Sequence, residues 1–158
     1  MGDRTWGQLE VLALDIEKYP DEAELLLGVI NDYGLAYHGE PKDLPEGVDP
    51  LETLIIGAKY GDDQVSCGFV YGLNEVLAGK IPHATVRANE DPKYEWLGEC
   101  WWHVPELGVY RQTCDAEGRP VFHASEVREA ALDLSVVELE RRLGGPWELA
   151  FAALGVDE

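Results

Sequence analysis

The sequence predicts an α+β fold: a small antiparallel sheet packed with helices, followed by a C-terminal segment of three short helices. Three observations carry this. With 158 residues, 46% of them apolar and five of them tryptophan, the chain can bury a core without disulfide or metal, because chains of this size remove roughly 70% of their unfolded surface from water. Between Glu99 and His123 three strand-like runs are separated by turn residues. From Ser125 onward, helix caps and glycine stops recur at helix spacing. The whole of 1–158 reads as a single domain, with the helical segment over about 125–155.

Taken in order, Thr5-Trp6-Gly7-Gln8 has the form of a capping box, in which the Thr hydroxyl accepts from the N–H three residues on and Gln8 reaches back. A helix is expected to follow, with Leu9, Leu12, Ile16 and Tyr19 on one face and Pro20 as its stop. Ala23 to Ile30, short and dense in Leu, Val and Ile, reads as a buried strand entering a turn at Asn31-Asp32-Tyr33-Gly34, with Leu35 to His38 as its returning partner. Gly39 to Pro50 is a loop by its prolines and acids. Asp49-Pro50-Leu51-Glu52 offers an N-cap, a proline at the first helical position and a first-turn acid, which favours a helix to about Lys59, with a strand over Leu54-Ile55-Ile56 as the alternative.

Beyond Asp62 two patterns compete. Val65, Cys67, Phe69 and Tyr71 alternate like a strand, while Val65, Phe69, Leu73, Val76 and Leu77 fit a helical face. The helix, to about Ala78, is preferred, although Gly68 and Gly72 weaken it by about 1 kcal/mol each. Ile81-Pro82 ends it, and His83 to Ala88 is a short strand before the acidic turn Asn89-Glu90-Asp91-Pro92. In a strand over Glu99 to Val104, Cys100 and Trp102 share one face and Trp101 and His103 the other. Val109 to Cys114 and Val121 to His123 are further strands, joined through Asp115-Ala116-Glu117-Gly118. Ser125 then caps a helix with Val127 and Ala131 inward, Ser135-Val136-Val137-Glu138 is a second capping box, and Gly144-Gly145 closes that helix. Pro146 starts the last helix, whose Trp147, Phe151 and Leu154 are apolar.

Thr5-x-Gly7-x-Leu9, an apolar helix, then Tyr19-Pro20-Asp21-x-Ala23-x-Leu25 and an apolar strand resembles the opening of many small bacteriophage and mobile-element proteins. The resemblance spans about 25 residues and implies a helix leading through a proline corner into the first strand. It implies a genomic setting and no catalytic residue.

Charge restricts the function further. There are 31 acidic and 12 basic residues, a net of −19, with 15 acids against 4 bases through Asp63 and 16 against 8 beyond it. A surface so evenly acidic repels phosphate backbones and anionic lipid, which argues against direct nucleic-acid or membrane binding. No apolar run reaches the about 18 residues of a bilayer span, and the start lacks the basic-then-apolar order of a signal peptide. Three cysteines without a framework spacing fit a reducing compartment, so a cytoplasmic location is expected. Arg141 and Arg142 lie among Glu138, Glu140 and Glu148, so the helical trio reads as packing rather than as a DNA-binding helix-turn-helix.

The strongest metal candidate is Cys100-x-x-His103 with Cys114 and His123, ligand types suited to tetrahedral zinc. Strand alternation opposes it, because it points Cys100 and His103 to opposite faces. No cofactor is therefore expected. His38-Gly39-Glu40 has the H-x-E form of zinc deaminases but lacks their P-C-x-x-C partner, and no phosphate-binding glycine motif occurs. The leading expectation is an acidic, non-enzymatic binding protein that meets a basic protein partner through Trp101 and His103 with Asp62, Asp63, Glu90 and Asp91. Inhibition of a host DNA-binding defence protein by phosphate-like charge is one form of it. A small zinc-dependent or cysteine-based enzyme or module around Cys100 to His123 is the second class, and a structural or assembly homo-oligomer that covers its tryptophans with a copy of itself is the third.

Overall fold

The structure is a computed structural model that describes residues 3–40, 44–93 and 97–155; Pro41 to Asp43 of the expected loop and Trp96 lie outside them. Its elements run β1 (Arg4–Ala13), α1 (Pro20–Asp32), β2 (Ala36–Tyr37), β3 (Lys59–Ser66), α2 (Phe69–Leu77), β4 (Thr85–Glu90), β5 (Gly98–Val104), β6 (Gly108–Cys114), α3 (Ala124–Asp133), α4 (Val136–Leu143) and α5 (Gly145–Ala153). The strands form one six-stranded antiparallel sheet in the order β2-β3-β1-β4-β5-β6. The α+β class, the antiparallel sheet and the three short C-terminal helices are as the sequence predicts.

The opening is inverted relative to expectation. Residues 4–13 form a central strand rather than a helix, and 20–32 form a helix rather than a strand. Leu9 and Val11 satisfy a two-residue period as well as Leu9 and Leu12 satisfy a helical one, and pairing to β3 on one side and β4 on the other selects the strand. Thr5 Oγ1 donates to the Asp91 carbonyl at 2.8 Å instead of capping a helix. Pro20 starts α1 rather than stopping anything: it sits in the first turn beside Asp21 and Glu22, where its missing N–H costs nothing and the acids meet the positive helix end. Ala23, Leu26 and Ile30 then face the core at helical spacing.

Between Asp49 and Ala58 the chain makes turns rather than a helix, with Asp49 Oδ1 accepting from the Leu51 N–H at 2.9 Å. The two patterns competing after Asp62 are both used. Strand β3 runs to Ser66, Gly68 takes φ 98°, a left-handed conformation that suits glycine, and α2 begins at Phe69. Asn89 and Glu90 belong to β4 rather than to a turn, and 121–123 form no strand. The second capping box is present: Glu138 N–H donates to Ser135 Oγ, and Ser135 N–H to Glu138 Oε2, each at 3.2 Å. The cap of α3 is His123 instead of Ser125, with its N–H on Glu126 Oε2. Val127 and Ala131 do not face inward, because α3 buries no residue, and Leu154 is half exposed while Trp147 and Phe151 are buried.

Each face of the sheet has its own apolar cluster. Leu9, Val11, Val86, Ala88 and Trp101 pack with residues of α1 and α2, including Leu26, Ile30, Val70, Leu73 and Leu77. Cys100, Trp102, Tyr110 and Cys114 pack on the other side with Trp147 and Phe151 of α5. Two hydrogen bonds fix the C-terminal helices there: Trp147 Nε1 donates to the Gly108 carbonyl at 3.0 Å and Tyr110 Oη to the Arg142 carbonyl at 2.9 Å.

Candidate functional site

The β5 alternation places the predicted residues directly. Trp101 and His103 share one face, as expected, but that face lies under α1 and α2, so Trp101 is wholly buried and His103 nearly so. They therefore form no exposed partner surface, which corrects the expectation; a strand's alternation shows which residues share a face, not that both faces are covered. Trp101 Nε1 donates to Asn74 Oδ1 of α2 at 3.1 Å, and His103 Nδ1 lies 2.7 Å from the Ala84 carbonyl. Glu90 is also buried, and its carboxylate accepts from the backbone N–H groups of Gly68 at 2.8 Å and Val70 at 3.1 Å. It serves the N-terminus of α2 rather than a partner. Asp91 is half-buried and accepts from Asn89 Nδ2 at 3.3 Å; burial, with Glu117 and Asp115 nearby, raises its carboxyl above the usual range. Asp62 is half-buried and accepts from the Gln64 N–H at 2.7 Å, while Asp63 is exposed.

The four metal candidates do not converge. Cys100 and Cys114 are buried in the cluster beneath α5, His103 is on the opposite face, and His123 is exposed at the cap of α3. Burial pushes the Cys100 thiol up to about 12 and raises that of Cys114 as well, so neither is an activated thiolate. Among the described residues no group of three or more His, Cys, Asp and Glu side chains is placed to hold a metal ion.

The strand register assembles something the sequence reading missed. Helix α5 packs over β5 and β6, with Phe151 reaching Arg87 of β4, and Lys59, Glu10, Arg87, Trp102 and Tyr110 fall in one cross-strand row over β3, β1, β4, β5 and β6. Gln8, Asn89 and Cys100 fall in the next row. The polar halves of these rows floor a cleft of about 560 Å³, walled by Trp102, Leu143, Phe151 and Ala152 and by the turn after β6 at Glu117 to Pro120. Arg87 Nη2 donates to Glu10 Oε1 at 3.2 Å, and the guanidinium carbon lies 5.6 Å from the centre of the Phe151 ring. Gln8 Oε1 accepts from Trp6 Nε1 at 2.8 Å. Trp102 stacks on Tyr110, with ring centres 5.2 Å apart, and meets Phe151 edge-on at 5.3 Å; among the described residues its buried indole N–H has no acceptor. The signal in the sequence was the alternation of Gln8 and Glu10 with Leu9 and Val11, hidden by reading the segment as a helix.

A second surface lies on the C-terminal helices. Helices α3 and α4 bury no residue, and at their junction Leu132 is 86% exposed, Val136 79% and Val137 72%. Glu129, Asp133 and Glu138 lie within one helical turn of them in sequence. Searches of protein-family models, curated proteins and solved structures find no match to this chain.

Proposed function

We propose that the protein acts by binding another protein, one with a basic surface, and that the α3–α4 junction supplies the centre of the contact. The observation that carries this reading is the exposure of Leu132, Val136 and Val137 within six consecutive positions, in a chain of net charge −19. Apolar side chains grouped among charged ones match the anatomy of an interface, with a dry centre and a polar rim. The charge selects the partner: long-range attraction brings in a basic surface, and like charge opposes a second copy. The contact thus moves from Trp101 and His103 to the helical arm, with exposed acids such as Asp63 contributing to the attraction. In one form of this reading, the partner is a host DNA-binding defence protein and the carboxylates stand in for phosphates.

The test compares the wild-type chain with a variant carrying L132S, V136S and V137S as bait, at low and high salt, with duplex DNA as competitor. The expected result is a basic protein that the wild type retains, the variant loses and salt weakens, through screening over about 8 Å at physiological ionic strength. Release by duplex DNA supports the phosphate-mimic form. Capture that is indifferent to both the substitutions and salt overturns the proposal. A second reading, self-assembly, rests on the same apolar residues, and a stable symmetric oligomer by light scattering, lost in the variant, would replace the first.

A further inference from the structure

The geometry points to the cleft between the sheet and α5 as a binding site for a small organic carboxylate with a flat apolar body. A volume of about 560 Å³ lies within the roughly 300–1,000 Å³ typical of small-molecule pockets, which combine apolar walls with a few fixed polar groups. Both parts are present, and the β-sheet fixes them: Lys59, Glu10 and Arg87 are neighbours in one row, so their spacing is set by strand pairing rather than by a loop. Solvated polar residues on an open sheet face would be exposed, yet Glu10 and Asn89 are buried beneath the walls.

The chemistry of the floor selects the ligand. Two cations, Lys59 and Arg87, stand on either side of the single acid Glu10. Arg87 engages Glu10 through Nη2 alone, so most of the five guanidinium donors remain to grip a carboxylate in fork geometry. Lys59 forms no ion pair among the described residues, and Gln8 has its oxygen engaged by Trp6 and its amide nitrogen available. Donors therefore outnumber acceptors, which calls for an acceptor-rich anion. The rim acids Glu117 and Glu148 and the net charge of −19 disfavour a multiply charged anion such as phosphate. Trp102, Phe151, Leu143 and Ala152 give the flat body its wall.

The test titrates the full chain with benzoate, 1-naphthoate and indole-3-acetate, beside the matching neutral amides and inorganic phosphate, and follows backbone amide signals by NMR. The expected result is movement of signals from β1, β4 and α5 with at least one carboxylate, and binding about tenfold or more weaker for its amide. R87K keeps the charge beside Glu10 but loses the fork, and weakens the carboxylate about tenfold. K59Q, at an exposed strand position, weakens it several-fold at unchanged thermal stability. The proposal is overturned if no carboxylate moves these signals, if amide or phosphate binds as well, or if K59Q and R87K leave affinity unchanged. Should R87K fail to fold, K59Q and the carboxylate-to-amide ratio decide alone. None of these readouts depends on the α3–α4 surface.

Discussion

The Glu90 carboxylate accepts from the Gly68 N–H at 2.8 Å and ties the last residue of β4 to the start of α2. The same carboxyl group reaches the Val70 N–H at 3.1 Å, so an acid side chain at the positive end of a helix is held inside the protein. E90Q keeps the shape but replaces one acceptor oxygen with an amide nitrogen, which meets backbone donors. We expect a loss of about 1–3 kcal/mol, measured by urea denaturation against the wild type. A stability within 0.5 kcal/mol of wild type, roughly the range of an ordinary surface substitution, would show that the acid is not needed there.

Two glycines give opposite expectations. At Gly98 an added Cβ would stand 2.7 Å from the Glu90 carbonyl oxygen and 2.9 Å from that of Cys114. Both are backbone atoms of the strands or bridge on either side and cannot turn away. G98A should therefore destabilise by about 2 kcal/mol or more, in the range of overpacking. At Gly28, on the exposed side of α1, an added Cβ meets nothing within 4 Å, and G28A should stabilise by about 0.5–1 kcal/mol through helix propensity. Thermal melts of the two variants check both signs at once.

The buried thiols give a pH dependence. Cys100 is raised from an ordinary 9.0 to about 12, first by burial. A thiol whose value is raised on folding stays protonated in the folded chain where the unfolded chain has already lost the proton. Its contribution is complete below pH 9 and is lost between about 9 and 12. Chemical denaturation should accordingly show stability falling from about pH 9 upward, and C100A should flatten that fall. Cys114 is shifted in the same direction by the same cause, so the double variant C100A/C114A should flatten it further. An equal slope in wild type and double variant would refute the assignment.

The α3–α4 junction predicts a separation of stability from association. Because Leu132, Val136 and Val137 are mostly exposed, the triple serine variant should melt within a few degrees of wild type, each surface change being worth about 0.5 kcal/mol or less. A large fall in melting temperature would mean that the arm is packed against something in the free protein.

What could be read from the sequence depended on whether a segment's pattern fitted one period only. Residues 99–104 allowed one reading, and the sides taken by Cys100 and Trp102 and by Trp101 and His103 followed. Ser135 with Glu138, and Gly144 with Pro146, were legible because caps act locally through named atoms. Residues 5–30 were not, since Leu9, Leu12 and Ile16 fit a helix while Leu9 and Val11 fit a strand. Only pairing with Lys59–Ser66 and Thr85–Glu90, distant in the chain, decides between them. The cleft was invisible for the same reason, because Lys59, Glu10 and Arg87 become neighbours only through that register.

The central place of β1 has a consequence for the order of events during synthesis. Residues 4–13 leave the ribosome before either of their partners, and the second partner is complete only at Glu90. The edge of β1 that takes β3 therefore waits until Ser66 and the edge that takes β4 until Glu90, and the sheet closes through contacts distant in sequence, which slows folding. Nascent chains shorter than this should remain open to proteases and chaperones, and protection of the Leu9 and Val11 amides should begin abruptly once β4 has emerged.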